Sequence, residues 1–207
     1  SWSLQGKYPD KGNTENETAG TAFGLLPLLG AGKTHKKTEN NPFNKPILDA
    51  LMYLISMQDK KSGNLDKNHN SMYAHGLATI ALCEAYGLTQ DQMLRRPAQM
   101  ALGFIVNSQH DGGGWRYSPK TPGDLSVSGW MIMALKSGQM SGLDVPDMAM
   151  RKAQRYLDSS VGDTNRESYT YTPDTQGGTP TMTAVGLLCR QYLQSWGPNS
   201  PRLIKGV

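Results

Sequence analysis

Few residues in this 207-residue chain have the types and spacing that chemistry requires. Cys83 and Cys189 lie far apart, and none of His35, His69, His75 and His110 stands at a metal-ligand spacing from either. Both cysteines therefore read as small hydrophobes inside helices, and no metal or cofactor is expected. The patterns G-x-S-x-G, Walker A and H-E-x-x-H are absent. The carboxylate in the most suggestive place is Asp124, directly before the apolar run from Leu125 to Leu135. On residue type alone it is a helix N-cap. Tyr73, His75 and Trp130 also lie near the starts of apolar runs. There they would face a cavity or a repeat interface, and the tryptophan would suit an apolar or sugar ligand. His75 reads first as a satisfied core residue and second as a base. The polar stretch 33–45 reads as a solvated loop.

The elements that must position these residues repeat. Thr21-Ala22-Phe23-Gly24-Leu25-Leu26 returns as Thr183-Ala184-Val185-Gly186-Leu187-Leu188. Between them, Gly76 and Gly129 head similar runs, so the four glycines recur at intervals of 52, 53 and 57 residues. A second series, Pro46, Pro97, Pro146 and Pro201, alternates with the first and suits helix starts. The proline-led segments carry one apolar stripe, such as Ile47, Leu51, Leu54 and Gln58, or Ala98, Leu102, Ile105 and Gln109. The glycine-bearing segments are apolar or small almost all round, as buried helices are. Gly30-Ala31-Gly32, Gly87, Gly112-Gly113-Gly114, Gly138 and Gly142 supply turn residues between them. The expected long connections are 33–45, 59–72, 110–124 and 161–180. The last two match at an offset of 54, pairing Trp115 with Tyr169, Tyr117 with Tyr171 and Gly123 with Gly177. The only period-2 stretch is 168–172, so strands have little support.

Composition narrows the class. The chain is 37% hydrophobic and 18% charged, with net charge +4 and mean hydropathy −0.52. No run approaches the roughly 20 apolar residues of a membrane-spanning helix. The basic residues do not cluster beyond pairs such as Lys36-Lys37, so nucleic acid is not an expected partner. The 23 glycines and 12 prolines sit among apolar stretches, which argues against disorder.

The segment from Arg96 to Gln109, followed by Asp111-Gly112-Gly113-Gly114-Trp115, resembles the QW motif of the prenyltransferase and squalene oxidase repeat. Gln58 with Gly63 is a second copy, in which Leu65 stands for the tryptophan. In a third copy Val161 takes the glutamine place and Tyr169 the aromatic place. Lys205-Gly206 looks like the opening of a further copy, and Trp2 like the close of an earlier one. The resemblance covers nearly the whole chain and is nearest to bacterial proteins known only for carrying this repeat. It implies an all-α fold, an α/α toroid as in terpenoid cyclases, here a partial barrel of about four inner and outer helix pairs. The repeats would span 17–68, 69–119, 120–173 and 174–207 of one domain, a fragment of a longer chain. Gln58, Gln109, Gly113, Gly114, Trp115 and Tyr169 are then the structural motif residues. The glutamine amide serves free backbone groups at a helix end, and the tryptophan supplies a stacking surface.

The chemistry of that family is mostly missing. Asp124 alone matches the acid motif of class II cyclases, at its middle position, without the flanking carboxylate. The cysteines match neither the zinc site of protein prenyltransferases nor a thioester Cys-Gly-Glu-Gln run. The expected function is therefore a non-catalytic helical scaffold or binding module. The alternatives are a cyclase-like enzyme with Asp124 as acid, and an extracytoplasmic glycan-binding or lyase-type toroid. Expected partners are an apolar or carbohydrate ligand in a central cavity bordered by Tyr73, His75 and Trp130, further repeats, or a second copy of the chain. Composition leans toward export.

Overall fold

A computed structural model describes residues 1–4, 15–37 and 41–206. It contains eight helices among these residues: α1 (Glu17–Gly30), α2 (Asn44–Met57), α3 (Met72–Thr89), α4 (Gln92–Ser108), α5 (Leu125–Met140), α6 (Asp147–Ser159), α7 (Pro180–Gln194) and α8 (Pro201–Gly206). The fold is all-α, as the sequence implies. In the period-2 stretch the only β feature is an isolated antiparallel bridge between Val161 and Tyr169.

The two expected kinds of helix are present. In α3 the residues from Ala74 to Cys83 are buried without a break, so every face is covered. In α2 the buried positions are Ile47, Ala50, Leu51, Leu54 and Met57, a single stripe. The stripe of α6 is Ala149, Ala153, Tyr156 and Leu157. Caps set the starts of the buried helices. The side chains of Asn16, Ser71 and Thr179 accept from the N–H groups of Ala19, Ala74 and Met182.

The chain forms two compact units. The first is Ser1–Phe104 with Ser137–Asp144; the second is Ile105–Lys136 with Val145–Val207. In the first, α1 packs against α3 and α2. In the second, α7 packs against α6 and α8.

Several boundaries differ from the sequence reading. Pro97 lies inside α4, whose start is set five residues earlier, where Asp91 accepts from Met93 N. The bond forfeited by Pro97 is to Met93, an exposed first-turn residue, so the helix tolerates it. Pro146 is the N-cap of α6, and Pro46 is the third residue of α2. Gly87 and Gly138 are helical, not turn residues. Side chains of Ser141 and Leu102 close on them, leaving no room for a Cβ.

The glycine series is also two series. A backbone N–H from each turn donates to a side chain on the buried helix that follows. The pairs are Trp2 to Thr21 Oγ1 (2.9 Å), Leu65 to His75 Nδ1 (3.0 Å), Trp115 to Ser128 Oγ (2.9 Å) and Tyr169 to Thr183 Oγ1 (3.1 Å). These acceptors are the equivalent positions. Gly24 and Gly186 follow theirs by three residues and lie under the rings of Trp2 and Tyr169, where a Cβ would collide. Gly76 and Gly129 follow by one, and Gly129 meets Val185 instead. The offset of 54 between the long loops also slips. Gly123 abuts Trp115 N, but the residue that abuts Tyr169 N is Gly178. Gly177, at φ +77°, is the extra residue of that turn.

Candidate functional site

Gln58 and Gln109 occupy equivalent places. Gln58 Nε2 donates to the carbonyl of Gly63 in its own turn (3.2 Å) and to Pro97 in α4 (2.9 Å). Gln109 Nε2 donates to Gly113 (2.8 Å) and to Ala149 in α6 (3.0 Å). Each amide thus satisfies two carbonyls and ties one single-stripe helix to the next. The turn glycines carry the same register. Gly63 and Gly113 sit at φ +87° and +96°. A Cβ on either would strike a carbonyl of the next helix, Met100 or Lys152. Trp115 is buried, and its Nε1 donates to Ile105 O (2.8 Å). The ring of Tyr156 closes on Gly114. Lys120 Nζ donates to Gln109 O at the end of α4 (3.0 Å), where a cation suits the helix dipole.

The third turn uses other side chains. Tyr169 is fully buried, and its hydroxyl accepts from Arg190 Nε (2.8 Å). Arg190, also fully buried, pairs with Asp158 (2.7 Å) and donates to Leu157 O at the end of α6. Nothing in the repeat pattern marks Arg190, and sequence reading misses it. A lone arginine in an otherwise apolar run was the available signal.

The candidate ligand residues divide between the units. In the first, His75 is fully buried. Its Nδ1 accepts from Leu65 N, so Nε2 carries the proton and donates to Ala101 O (3.2 Å). Burial pushes its pKa down to about 4, which keeps the ring neutral. His75 is a satisfied core residue. Tyr73, two residues earlier, is half-buried. Trp130 is half-buried in the second unit. Cys83 and Cys189 are buried, and burial pushes both thiols up, that of Cys189 to about 12. Such thiols are poor nucleophiles. Among the described residues, no group of three or more His, Cys, Asp or Glu could hold a metal ion.

Asp124 caps α5, as its type predicts. Its Oδ1 accepts from Val127 N (2.9 Å) and Ser126 Oγ (2.6 Å). It is nonetheless fully buried, and its Oδ2 has no hydrogen-bond partner. The nearest counter-charge is Arg116 Nε at 3.5 Å. Arg116 lies over the Tyr117 ring, and the Tyr117 and Tyr171 hydroxyls meet at 2.5 Å. Beside this cluster, a cavity of about 260 Å³ opens between the two matched loops.

Two polar clusters of the first unit escaped the sequence reading. Buried Asp66 accepts from Asn16 Nδ2 and Ser71 N, joining the N-caps of α1 and α3, with His69 beside it (3.2 Å). Asp91 is paired with Lys36 and His35, which hold its carboxyl well below the usual range. The segment 33–45 is therefore tied down at His35 and Lys36, although its residues 38–40 fall outside the described ones.

No helix among the described residues is long and apolar enough to cross a membrane. In comparisons with known proteins, no family model, no curated protein and no solved structure matches the chain.

Proposed function

We propose that the chain is a non-catalytic helical-repeat scaffold or binding module, of the α/α-toroid kind implied by its QW-like repeats. One observation carries this reading. The motif glutamines Gln58 and Gln109 join helices in one register, each on its own turn and on the next helix. His75 has partners on both nitrogens, and Oδ1 of Asp124 is taken by its helix cap. Repeat architectures of this type derive stability from neighbour-to-neighbour interfaces. Incubation with squalene and with oligoprenyl diphosphates should leave both unchanged by mass spectrometry. A cyclised product that disappears in Asp124→Asn would overturn the reading.

A cyclase-like enzyme is the second reading. It is favoured by the buried Oδ2 of Asp124, which accepts no hydrogen bond and faces Arg116 Nε at 3.5 Å. The same assay decides between the two.

A further inference from the structure

We propose that the cavity between the loops 109–124 and 160–179 of the second unit binds a neutral, polyhydroxylated ligand the size of one sugar ring. The site deepens the binding-module reading and rests on it.

Its volume is about 260 Å³. Pockets for drug-sized ligands run from about 300 to 1,000 Å³, so this one suits something smaller. The wall includes His110, Arg116, Tyr156, Ser159, Thr172 and Asp174. These groups both donate and accept. Arg116 turns Nε toward Asp124 (3.5 Å), and its side chain is partly exposed. Gly112 N donates to His110 Nδ1 (3.0 Å), which leaves the proton of the neutral ring on Nε2. Asp174, exposed at the rim, can only accept while ionised. Tyr156, only 3% exposed, forms the floor, with its hydroxyl sealed beneath the surface near Ser128 and Ser160.

Charge selects the ligand class. One guanidinium stands among two carboxylates, Asp124 behind it and Asp174 at the rim. An incoming anion meets Asp174 at the rim, and an incoming cation meets Arg116. A hydroxyl both donates and accepts, so a polyol can use every group without a net charge.

Saturation-transfer NMR on the intact chain tests this with D-glucose, D-galactose, D-mannose and N-acetyl-D-glucosamine. Inorganic phosphate and acetate serve as anion probes. At least one sugar should bind saturably, and Asp174→Ala and Arg116→Lys should each weaken it by about tenfold. Asp174 is exposed and Arg116→Lys keeps the charge facing Asp124, so both variants should keep the helical circular-dichroism spectrum. Three results overturn the proposal: no binding by any of the four sugars, binding of phosphate or acetate in their place, or sugar binding equal in both variants and the parent. None of these touches the scaffold reading, which falls only to turnover.

Discussion

After α4 the chain turns on Gln109 and Trp115; after α6 it turns on Val161 and Tyr169. Both turns must find donors for carbonyls left over at a helix end. In the first, the Trp115 indole donates to Ile105 O at the end of α4, while the glutamine amide serves Gly113 O in the turn and Ala149 O in α6. In the second, valine cannot donate. Arg190 reaches in from α7 to Leu157 O and Tyr169 Oη. An arginine brings charge with it, and Asp158 is there to pair it. A neutral indole needs no such companion, and a buried ion pair gives back part of its attraction as desolvation. The same structural duty can thus pass to a residue of different chemistry elsewhere in the chain. A charged side chain in such a fold is not by itself a sign of catalysis.

The comparison can be strained at several points. Trp115→Ala should have the largest effect, a loss of about 4 kcal/mol in urea unfolding, from the cavity and the lost indole bond. A loss below about 2 kcal/mol would mean that the indole is not the anchor of its turn. Next comes pH. In the turn after α2, Leu65 N is held by an imidazole; in the turn after α4 the corresponding N–H is held by the hydroxyl of Ser128. Only the former titrates. His75 has a folded pKa of about 4 against 6.5 unfolded, so the unfolded chain binds its proton first. Its contribution is complete above pH 6.5 and is lost as pH falls toward 4, about 3 kcal/mol in all. His75→Gln should flatten that part of the stability profile, and a parallel profile would refute the assignment.

Gln109→Ala and Arg190→Met should follow, at about 2 kcal/mol each by chemical denaturation. The arginine loss is held down because Asp158 is partly exposed and keeps Arg166 at 3.2 Å. A much larger loss for Arg190→Met would show the ion pair to be worth more than the amide. The smallest effect belongs to Val161→Gln. With Leu157 O already served, the restored glutamine should change stability by less than about 0.5 kcal/mol. A gain above about 1 kcal/mol would mean that Arg190 is a poor substitute.

Much of the fold was legible because periodicity reports burial directly. Ile47, Leu51 and Leu54 read as one stripe, and they are one. Asp124 read as a cap because short carboxylates serve that place, and it caps α5. The glutamines were found because they recur with their glycines. Register was harder. A shared glycine marks close approach but not what approaches. Gly24 makes way for an indole and Gly129 for Val185, yet the letters align. Asp66, Asp91 and Arg190 act once each, and each reaches a partner at least 33 residues away. A pattern that occurs once has no period to betray it. The cavity wall is similar: Tyr156 falls in the buried stripe of α6, and only its surroundings place it at the cavity.

The reach of the glutamine bonds has a consequence during synthesis. Gln58 and Gln109 bind partners 39 and 40 residues further along the chain. A ribosome adding about 5 to 20 residues per second produces that length in roughly 2 to 8 s. Each turn is therefore expected to wait only that long for the carbonyl it must meet, whatever remains to be made. Order can spread from the N-terminus at the pace of translation, with each new helix arriving at a partner already in place.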